Sequence, residues 1–259
     1  MKSFIYKRLI ELTNGRITSS LIKKFAGSKS SKWIIPSFVD WYKINQDEML
    51  LPLTEYNTLH DLFIRKLQAE ARPIDQNDKS VVSPVDAVVE DMGEISEEAE
   101  IIVKNKKYSI TDMLGKEEIK GKYIGGTFLV LYLSPSHYHR IHSPVDGMAV
   151  RQYSLGQKSY PVNKYGLKYG KEPLSKNFRK VTEIRTQAGH VAVVKVGAMF
   201  INSIEMVKDD NDWKKGEEVA YFSFGSTIVL LFEKGIFIPE ENIRIPYDVR
   251  VGERIGKLK

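Results

Sequence analysis

The chain has 259 residues, 42% of them hydrophobic, which is enough to bury the core of one large domain. It contains no cysteine, so disulfides, thiol nucleophiles and cysteine-ligated zinc are excluded. The net charge is +6, and residues 1–39 alone carry eight lysines and arginines against Glu11, so the basic character belongs to this segment.

The basic segment 1–39 predicts two short amphipathic helices, over residues 4–12 and 17–26, because apolar residues recur there between lysines. No stretch of the chain approaches the roughly 20 apolar residues that span a bilayer, and charges interrupt the N-terminus too often for a signal peptide. We therefore expect an intracellular protein that is not integral to the membrane. Residues 1–39 are predicted to dock on an anionic membrane surface, although such a run can also be a solvated face packed on the body, residues 40–259.

The body is predicted to be β-rich, which makes the whole chain an α+β protein. One helix is expected over residues 58–69, capped by Thr58. Short β-type runs then alternate with turns, at 81–90, 100–103, 127–133, 146–153, 190–204, 218–232 and 236–238. Residues 249–256 resemble the strand-turn-strand phrase of lipoyl-type folds, so we expect a barrel-sandwich-like body.

A Ser-Pro-Val-Asp phrase occurs twice, at residues 83–86 and 143–146, with a spacing of 60. Two related β-hairpin units in one compact body would explain the repeat. An aspartate in such a turn ordinarily bonds its own backbone, so Asp86 alone carries no function.

Three of the five histidines, His137, His139 and His142, lie within six residues. Solvated imidazoles in a polar turn are the simplest interpretation. Two functional interpretations remain open: zinc ligation, with Asp86 as an additional oxygen ligand, or a general base that an aspartate orients toward a serine.

Gly225-Ser226-Thr227 interrupts an apolar run, Tyr221 to Phe232, that otherwise reads as a buried strand. A bulge with satisfied hydroxyls is the common explanation of such a triplet. Glycine also lets another group approach the backbone closely, and the serine oxygen then stands next to the Gly225 carbonyl.

Taken together, these motifs resemble the phosphatidylserine decarboxylase family. The resemblance rests on Tyr138–Pro144, Ser83–Asp86 and Phe224–Thr227, with Val196-Gly197-Ala198 and Asn202-Ser203-Ile204-Glu205 as a fourth segment. It runs from about residue 40 to the end, in the family's order and spacing. Phe224 replaces the leucine that usually precedes Gly-Ser-Thr, an apolar exchange.

The resemblance implies an inactive proenzyme that cuts itself at Gly225-Ser226 into a β chain (1–225) and an α chain (226–259). By resemblance, Ser226 is the nucleophile, His142 its base and Asp86 the group that holds the tautomer of His142. Ser226 then becomes a pyruvoyl group, the covalent cofactor, which forms a Schiff base with the substrate amine. His139 is the candidate donor of the proton that replaces the lost carboxylate.

The implied reaction converts phosphatidylserine to phosphatidylethanolamine and CO2 without a metal. The implied location is the cytoplasmic face of an anionic cell membrane, where the protein binds peripherally. The two fragments are expected to form a heterodimer, and formation of a homo-oligomer stays open. No P-loop, Rossmann or kinase motif supports nucleotide use, and no nucleic acid is expected. Two other classes are a zinc hydrolase built on the histidines, which metal analysis would detect, and a membrane-surface or nucleic-acid binding module resting on the basic segment.

Overall fold

The computed structural model describes residue 21 and residues 23–198, 204–223 and 226–259. The helix predicted over 4–12 and most of the one predicted over 17–26 lie outside the described residues. Phe224, Gly225, Asn202 and Ser203 also lie outside them.

The described helices are short and lie at the periphery of the sheets. They are α1 (Ile35–Tyr42), α2 (Leu59–Phe63), α3 (Ile110–Leu114), α4 (Glu117–Tyr123), α5 (Lys164–Tyr169) and α6 (Pro173–Lys176), with 3-10 turns at Lys29–Ile34 and Leu53–Glu55. None of the helices in these ranges is long and apolar enough to cross a membrane.

The strands make up the body. They are β1 (Ser80–Val82), β2 (Ala87–Glu94), β3 (Glu100–Val103), β4 (Lys106–Ser109), β5 (Thr127–Leu133), β6 (Arg140–His142), β7 (Gly147–Leu155), β8 (Arg179–Arg185), β9 (His190–Gly197), β10 (Ile204–Met206), β11 (Asp212–Trp213), β12 (Glu218–Phe222), β13 (Ser226–Phe232), β14 (Phe237–Pro239), β15 (Tyr247–Val249) and β16 (Arg254–Leu258). The α+β, strand-rich prediction is confirmed.

The largest sheet is antiparallel and has the order β11-β7-β8-β9-β13-β5-β2-β15. Smaller sheets pair β1-β16-β14, β10-β12-β6 and β3-β4, and within the described residues the sheets do not close into a barrel. Strand β13 lies in the middle of the large sheet, and its side chains alternate between two separate hydrophobic cores. Ile228 and Leu230 pack into one core and Val229 and Leu231 into the other, as expected for a strand buried on both faces.

The two Ser-Pro-Val-Asp turns are related by an approximate two-fold arrangement. Each serine hydroxyl donates to the valine carbonyl two residues later, at 2.6 Å from Ser83 and 2.7 Å from Ser143. The turns also bond each other, because the Val82 amide donates to the Pro144 carbonyl and the His142 amide donates to the Pro84 carbonyl. The sequence repeat therefore predicted a real structural repeat.

The aspartates of the two turns are equivalent in the same way. Asp86 accepts a hydrogen bond from the Val251 amide and Asp146 accepts one from the Lys215 amide. Both donors lie in tight turns next to a glycine with positive φ, Gly252 and Gly216, where a Cβ atom would meet Ile74. The turn at Val251-Gly252 lies between β15 and β16, as the strand-turn-strand pattern at 249–256 predicted.

The helix predicted over 58–69 is shorter in the structure. Thr58 does cap it, since its hydroxyl accepts from the Asp61 amide at 3.0 Å, but the helix ends at Phe63. Beyond it, Arg65 turns to the carbonyls of Ser136 and His137, and Leu67 bridges to Met49. Tertiary contacts override helix propensity at these positions.

The boundary predicted between residues 39 and 40 falls inside α1. Ile35 and Val39 pack with Met49, Leu59 and Leu62 in a third, small core. In the described residues, the structure therefore continues through this boundary without a break.

Lys195 is fully buried in the middle of β9, on the face of the sheet that also carries Ile228. Its Nζ donates to Thr182 Oγ1 at 2.7 Å and lies 5.7 Å from the centre of the Trp213 ring. Burial lowers the pKa of Lys195 to about 7.

We expect Lys195→Met to stabilise the fold by on the order of 3 kcal/mol at pH 7, after allowing for the lost hydroxyl bond. The unfolded chain binds more protons than the folded chain between pH 7 and the ordinary lysine pKa, so the gain is largest below pH 7 and shrinks as the pH rises through this range. Thermal melting at pH 7 and at pH 9.5 measures this, with Lys257→Met, an exposed lysine on β16, as the control. A loss of stability at pH 7 would show that the amine contributes to the fold.

Candidate active site

Asp86 lies between a turn and β2, with its carboxylate fully engaged. Oδ1 accepts from the Arg72 Nε at 2.8 Å and from the Val251 amide at 2.9 Å, while Oδ2 accepts from Arg72 Nη2. Arg72 also donates to Glu48, so one guanidinium joins two carboxylates. This is a charge-assisted bidentate pair, which fixes Asp86 firmly in place.

His142 ends β6, and both of its ring nitrogens have partners. Nδ1 lies 2.7 Å from the Gly216 carbonyl and Nε2 lies 3.3 Å from the Tyr138 hydroxyl. A carbonyl only accepts, so Nδ1 carries the proton and Nε2 accepts from Tyr138. Burial lowers the pKa of His142, while the charges of Glu218 and Asp86 oppose that shift, so the ring is neutral at physiological pH.

The expected hydrogen bond between Asp86 and His142 is therefore not present. The Gly216 carbonyl accepts the hydrogen bond from His142 Nδ1 that Asp86 was expected to accept. The Asp86 carboxylate instead accepts hydrogen bonds from Arg72. Asp86 reaches His142 only through its negative charge.

His139 has no exposed surface, and its ring contacts that of Phe63, with 3.9 Å between the ring centres. Nδ1 lies 2.8 Å from the carbonyl of His137 and so carries the proton. Nε2 is buried and has no hydrogen-bond partner among the residues that the structure describes. Burial holds the pKa of His139 well below its usual value, so Nε2 presents a free lone pair.

Ser226 is the first residue of β13, between Leu133 at the end of β5 and Gly197 at the end of β9. Its side chain is completely buried, and Oγ has no hydrogen-bond partner among residues 23–198, 204–223 and 226–259. A buried hydroxyl without a partner costs free energy that a structural serine avoids, and such a group calls for a functional explanation.

The antiparallel pairing of β6 with β12 places each histidine opposite a different residue of the segment that leads to Ser226. The Phe222 amide, four residues before Ser226, donates to the His139 carbonyl at 2.9 Å. His142 pairs with Glu218, eight residues before Ser226. In the described residues Ser226 Oγ forms no hydrogen bond with either ring.

The third histidine, His137, accepts from the Ser134 amide through Nδ1 at 3.1 Å, and burial lowers its pKa. Across the described part of the chain, no three His, Asp or Glu side chains are grouped so that they could hold a metal ion. The zinc hypothesis therefore has no ligand group among these residues.

A cavity of about 370 Å³ adjoins Asp86. Its charged lining includes Arg65, Arg72, Asp248 and Arg250, with His137 and Tyr138 beside them. Sequence reasoning missed Arg65, Arg72 and Tyr138. Tyr138 belongs to the segment Tyr138–Pro144, on which the family resemblance rests. The two arginines belong to no motif or periodic pattern that would distinguish them from other arginines.

Comparison with known proteins gives one consistent result. The family model described as phosphatidylserine decarboxylase matches residues 59–257. A protein of Geobacillus sp. strain WCH70, named phosphatidylserine decarboxylase proenzyme, is 56% identical over 259 residues and covers all of both chains. Proteins with the same name from Anoxybacillus flavithermus and Geobacillus kaustophilus are 56% and 54% identical, over 100% and 99% of this chain and 97% of each relative.

Proposed function

The chain belongs to the phosphatidylserine decarboxylase family and is a decarboxylase, and from that premise we propose that it makes its own catalytic group by cutting itself at Gly225-Ser226. The observation that carries the proposal is Ser226 Oγ, a buried nucleophile at the start of a central strand, with no hydrogen-bond partner in the part of the chain that the structure describes. The relatives are named proenzymes, which fits a chain that must be processed before it acts.

The cut begins when Ser226 Oγ attacks the Gly225 carbonyl carbon. The C–N bond breaks, an ester replaces the amide, and the hydroxyl proton passes through the base to the freed nitrogen. Removal of the Ser226 Cα proton then expels the Gly225 carboxylate and leaves dehydroalanine. Addition of water and loss of ammonia convert this residue to a pyruvoyl group. The apolar burial of Ser226 keeps water from the ester before elimination.

His142 is the proposed base for this cut, because it is neutral and its Nε2 presents a lone pair. That atom accepts from the Tyr138 hydroxyl in the structure, so cutting requires Nε2 to exchange Tyr138 for Ser226. Asp86 contributes its negative charge, which stabilises the imidazolium that forms.

His142→Ala is expected to slow self-cleavage by at least 100-fold, since a positioned base contributes about that much. Asp86→Asn is also expected to slow it, because the neutral amide no longer stabilises the imidazolium. Gel electrophoresis of freshly made chains over several hours measures the rate. Asp146→Asn is the matched control, because Asp146 holds the equivalent position in the second turn and is exposed. If Asp86→Asn yields the short fragment at the parental rate, the charge of Asp86 plays no part.

The site fits a pyruvoyl group, because Ser226 Oγ lacks a hydrogen-bond partner among the described residues and the conversion removes this oxygen. Once formed, the group would bind the substrate amine as a Schiff base and act as the electron sink for decarboxylation. His139 Nε2 is the proposed proton carrier: it accepts the proton that the substrate ammonium releases and returns it to the α-carbon after CO2 leaves. A neutral ring with a free lone pair is suited to that order of events.

The two fragments would remain associated after the cut. Strand β13 is bonded on one side to β5 and on the other to β9, and both partners belong to residues 1–225. Strands β15 and β16 of the short fragment pair with β2 and β1. We therefore propose a heterodimer of fragments 1–225 and 226–259 as the mature protein.

We propose that the protein docks peripherally on the cytoplasmic face of a membrane that contains phosphatidylserine. Four apolar side chains within residues 33–51 are strongly exposed, Trp33 (75%), Trp41 (82%), Leu50 (52%) and Leu51 (47%), and are called here the apolar surface. Exposed lysines are close to them in the sequence, at positions 29, 32 and 43. Aromatic residues with lysines are typical of interfacial contact with anionic lipid.

Trp33→Ser combined with Trp41→Ser is expected to weaken binding to phosphatidylserine vesicles by at least tenfold, while self-cleavage continues. The reason is the loss of two large apolar groups that would enter the interface, each worth about 1.5–3 kcal/mol if buried. Vesicle sedimentation at low and high salt measures it. The control is Ile102→Ser, which replaces an exposed apolar side chain on the β3–β4 hairpin. If both proteins lose vesicle binding equally, the apolar surface is not the docking site.

The proposed function is tested by incubating the purified protein with phosphatidylserine vesicles and measuring phosphatidylethanolamine and CO2. We expect the two products in equal amounts. Product formation by a preparation that contains only the uncut chain would refute the proposal.

A further inference from the structure

Arg65 is a buried cation without a carboxylate partner within hydrogen-bonding distance in the described residues. Its side chain lies just beyond α2 and is only 5% exposed. Burying a guanidinium is costly, and proteins usually offset the cost with an acid. Here Nη2 donates instead to two backbone carbonyls, of Ser136 at 2.8 Å and of His137 at 3.2 Å.

One of these two carbonyls is shared with His139. The His137 oxygen accepts the Nδ1 proton of His139 at 2.8 Å and also accepts from Arg65. A carbonyl oxygen has two lone pairs, so these two donors saturate it. The carbonyl is therefore fixed in direction by Arg65 and in turn fixes the ring of His139.

From this geometry we propose that Arg65 is a positioning residue for His139. By holding the His137 carbonyl, it keeps the proton of His139 on Nδ1 and leaves Nε2 free for the reaction. The inference rests on the proposed function only for the role of Nε2 in turnover, since the tautomer is a property of the uncut chain.

Two further observations agree with this role. Phe63, at the end of α2, packs against the ring at an interplanar angle of 42°, so the segment that carries Arg65 also contacts the ring directly. The charged or titratable groups that act on the pKa of His139 are Arg65 and His137, after burial as the main cause. The charge of Arg65 thus adds to burial in keeping the ring neutral.

The tautomer is measured directly by ¹⁵N NMR of the histidine rings in full-length Ser226→Ala protein, in which no cofactor is made. The His139 signals are assigned by their absence in a His139→Gln version. We expect a protonated Nδ1 and a bare Nε2 that do not titrate between pH 8 and pH 5.5. A proton on Nε2 in this parent chain would overturn the proposal without any variant of Arg65.

Two variants separate the effect of the planar hydrogen-bond donors of the guanidinium from the effect of its charge. Arg65→Lys keeps the charge but loses the planar fork, so we expect a mixture of tautomers that still resists protonation. Arg65→Gln keeps N–H donors but loses the charge, so the pKa of the His139 ring should rise relative to the parent chain. Arg254→Gln removes an arginine that pairs with Glu240 at the surface and serves as the control.

Turnover is compared in the same variants with Ser226 restored. Partners that fix a functional histidine are worth about 10- to 100-fold where this has been measured at metal sites, and we expect a loss of that size in phosphatidylethanolamine formation. The pH–rate profile of Arg65→Gln should shift to higher pH. Parental tautomer, titration and turnover in both variants would overturn the proposal, whereas altered ring signals with normal turnover would support the positioning and refute only the catalytic use of His139.

Discussion

Ser226→Ala is expected to yield a single uncut chain of 259 residues with no measurable decarboxylase activity. The substitution removes the nucleophile of the cut and the precursor of the catalytic group together. Because Oγ has no hydrogen-bond partner within the described ranges, its removal leaves no group there unsatisfied, and the folded chain should be at least as stable as the parent. Electrophoresis, thermal melting and product assay measure the three effects.

Thr227→Ala is the matched control for this prediction. Thr227 is the next residue, is equally buried and also has an unpartnered hydroxyl, but its side chain lies on the other face of the sheet. We expect it to be cut within about threefold of the parental rate, far from the loss of 100-fold or more expected for a missing catalytic group. A short fragment from Ser226→Ala would show that another residue initiates the cut.

His139→Ala is expected to separate the two reactions of the protein. Self-cleavage should proceed, since His142 is its proposed base, while turnover falls by about 100-fold to 10,000-fold, the contribution of a positioned proton carrier. The cavity left beside Phe63 also costs some stability, so the assay is made well below the melting temperature.

The measurement pairs fragment yield with phosphatidylethanolamine formation in the same preparation. His190→Ala serves as the control, since His190 pairs with Glu233 at the start of β9, at the opposite end of that strand from Gly197. Normal turnover in His139→Ala would remove His139 from the reaction. Failure to cut would instead show that His139 is the base of the self-cleavage. Its carbonyl accepts from the Phe222 amide, four residues before Ser226.

Much of the fold could be predicted from local patterns. Thr58 caps a helix, the two Ser-Pro-Val-Asp turns are structural equivalents, and the apolar runs became strands. The run predicted over 218–232 is two strands, β12 and β13, because a continuous apolar pattern does not show where a chain leaves one sheet for another. Helices such as α3 and α5 were missed since they are too short for a periodic signal.

The roles of Asp86, His139, His142 and Ser226 stay predictions, and the structure gives two of these residues partners that the sequence did not predict. The partner of Asp86 is Arg72 and the partner of His142 Nδ1 is the Gly216 carbonyl. Both partners are brought in by tertiary structure, from a loop before β1 and from a turn before β12. Backbone carbonyls leave no trace in residue identity, so a sequence cannot show that one has replaced a carboxylate.

We propose that the chain cuts itself before Ser226 and that Ser226 becomes a pyruvoyl group. The intact mass of the purified, unmodified protein tests both steps in one measurement. We expect fragments of 225 and 34 residues, about 25 and about 4 kDa, and a short fragment lighter by one ammonia than the plain hydrolysis product. A single species of the full 29.6 kDa chain that is nevertheless active, or a short fragment that begins with an intact serine, would contradict it.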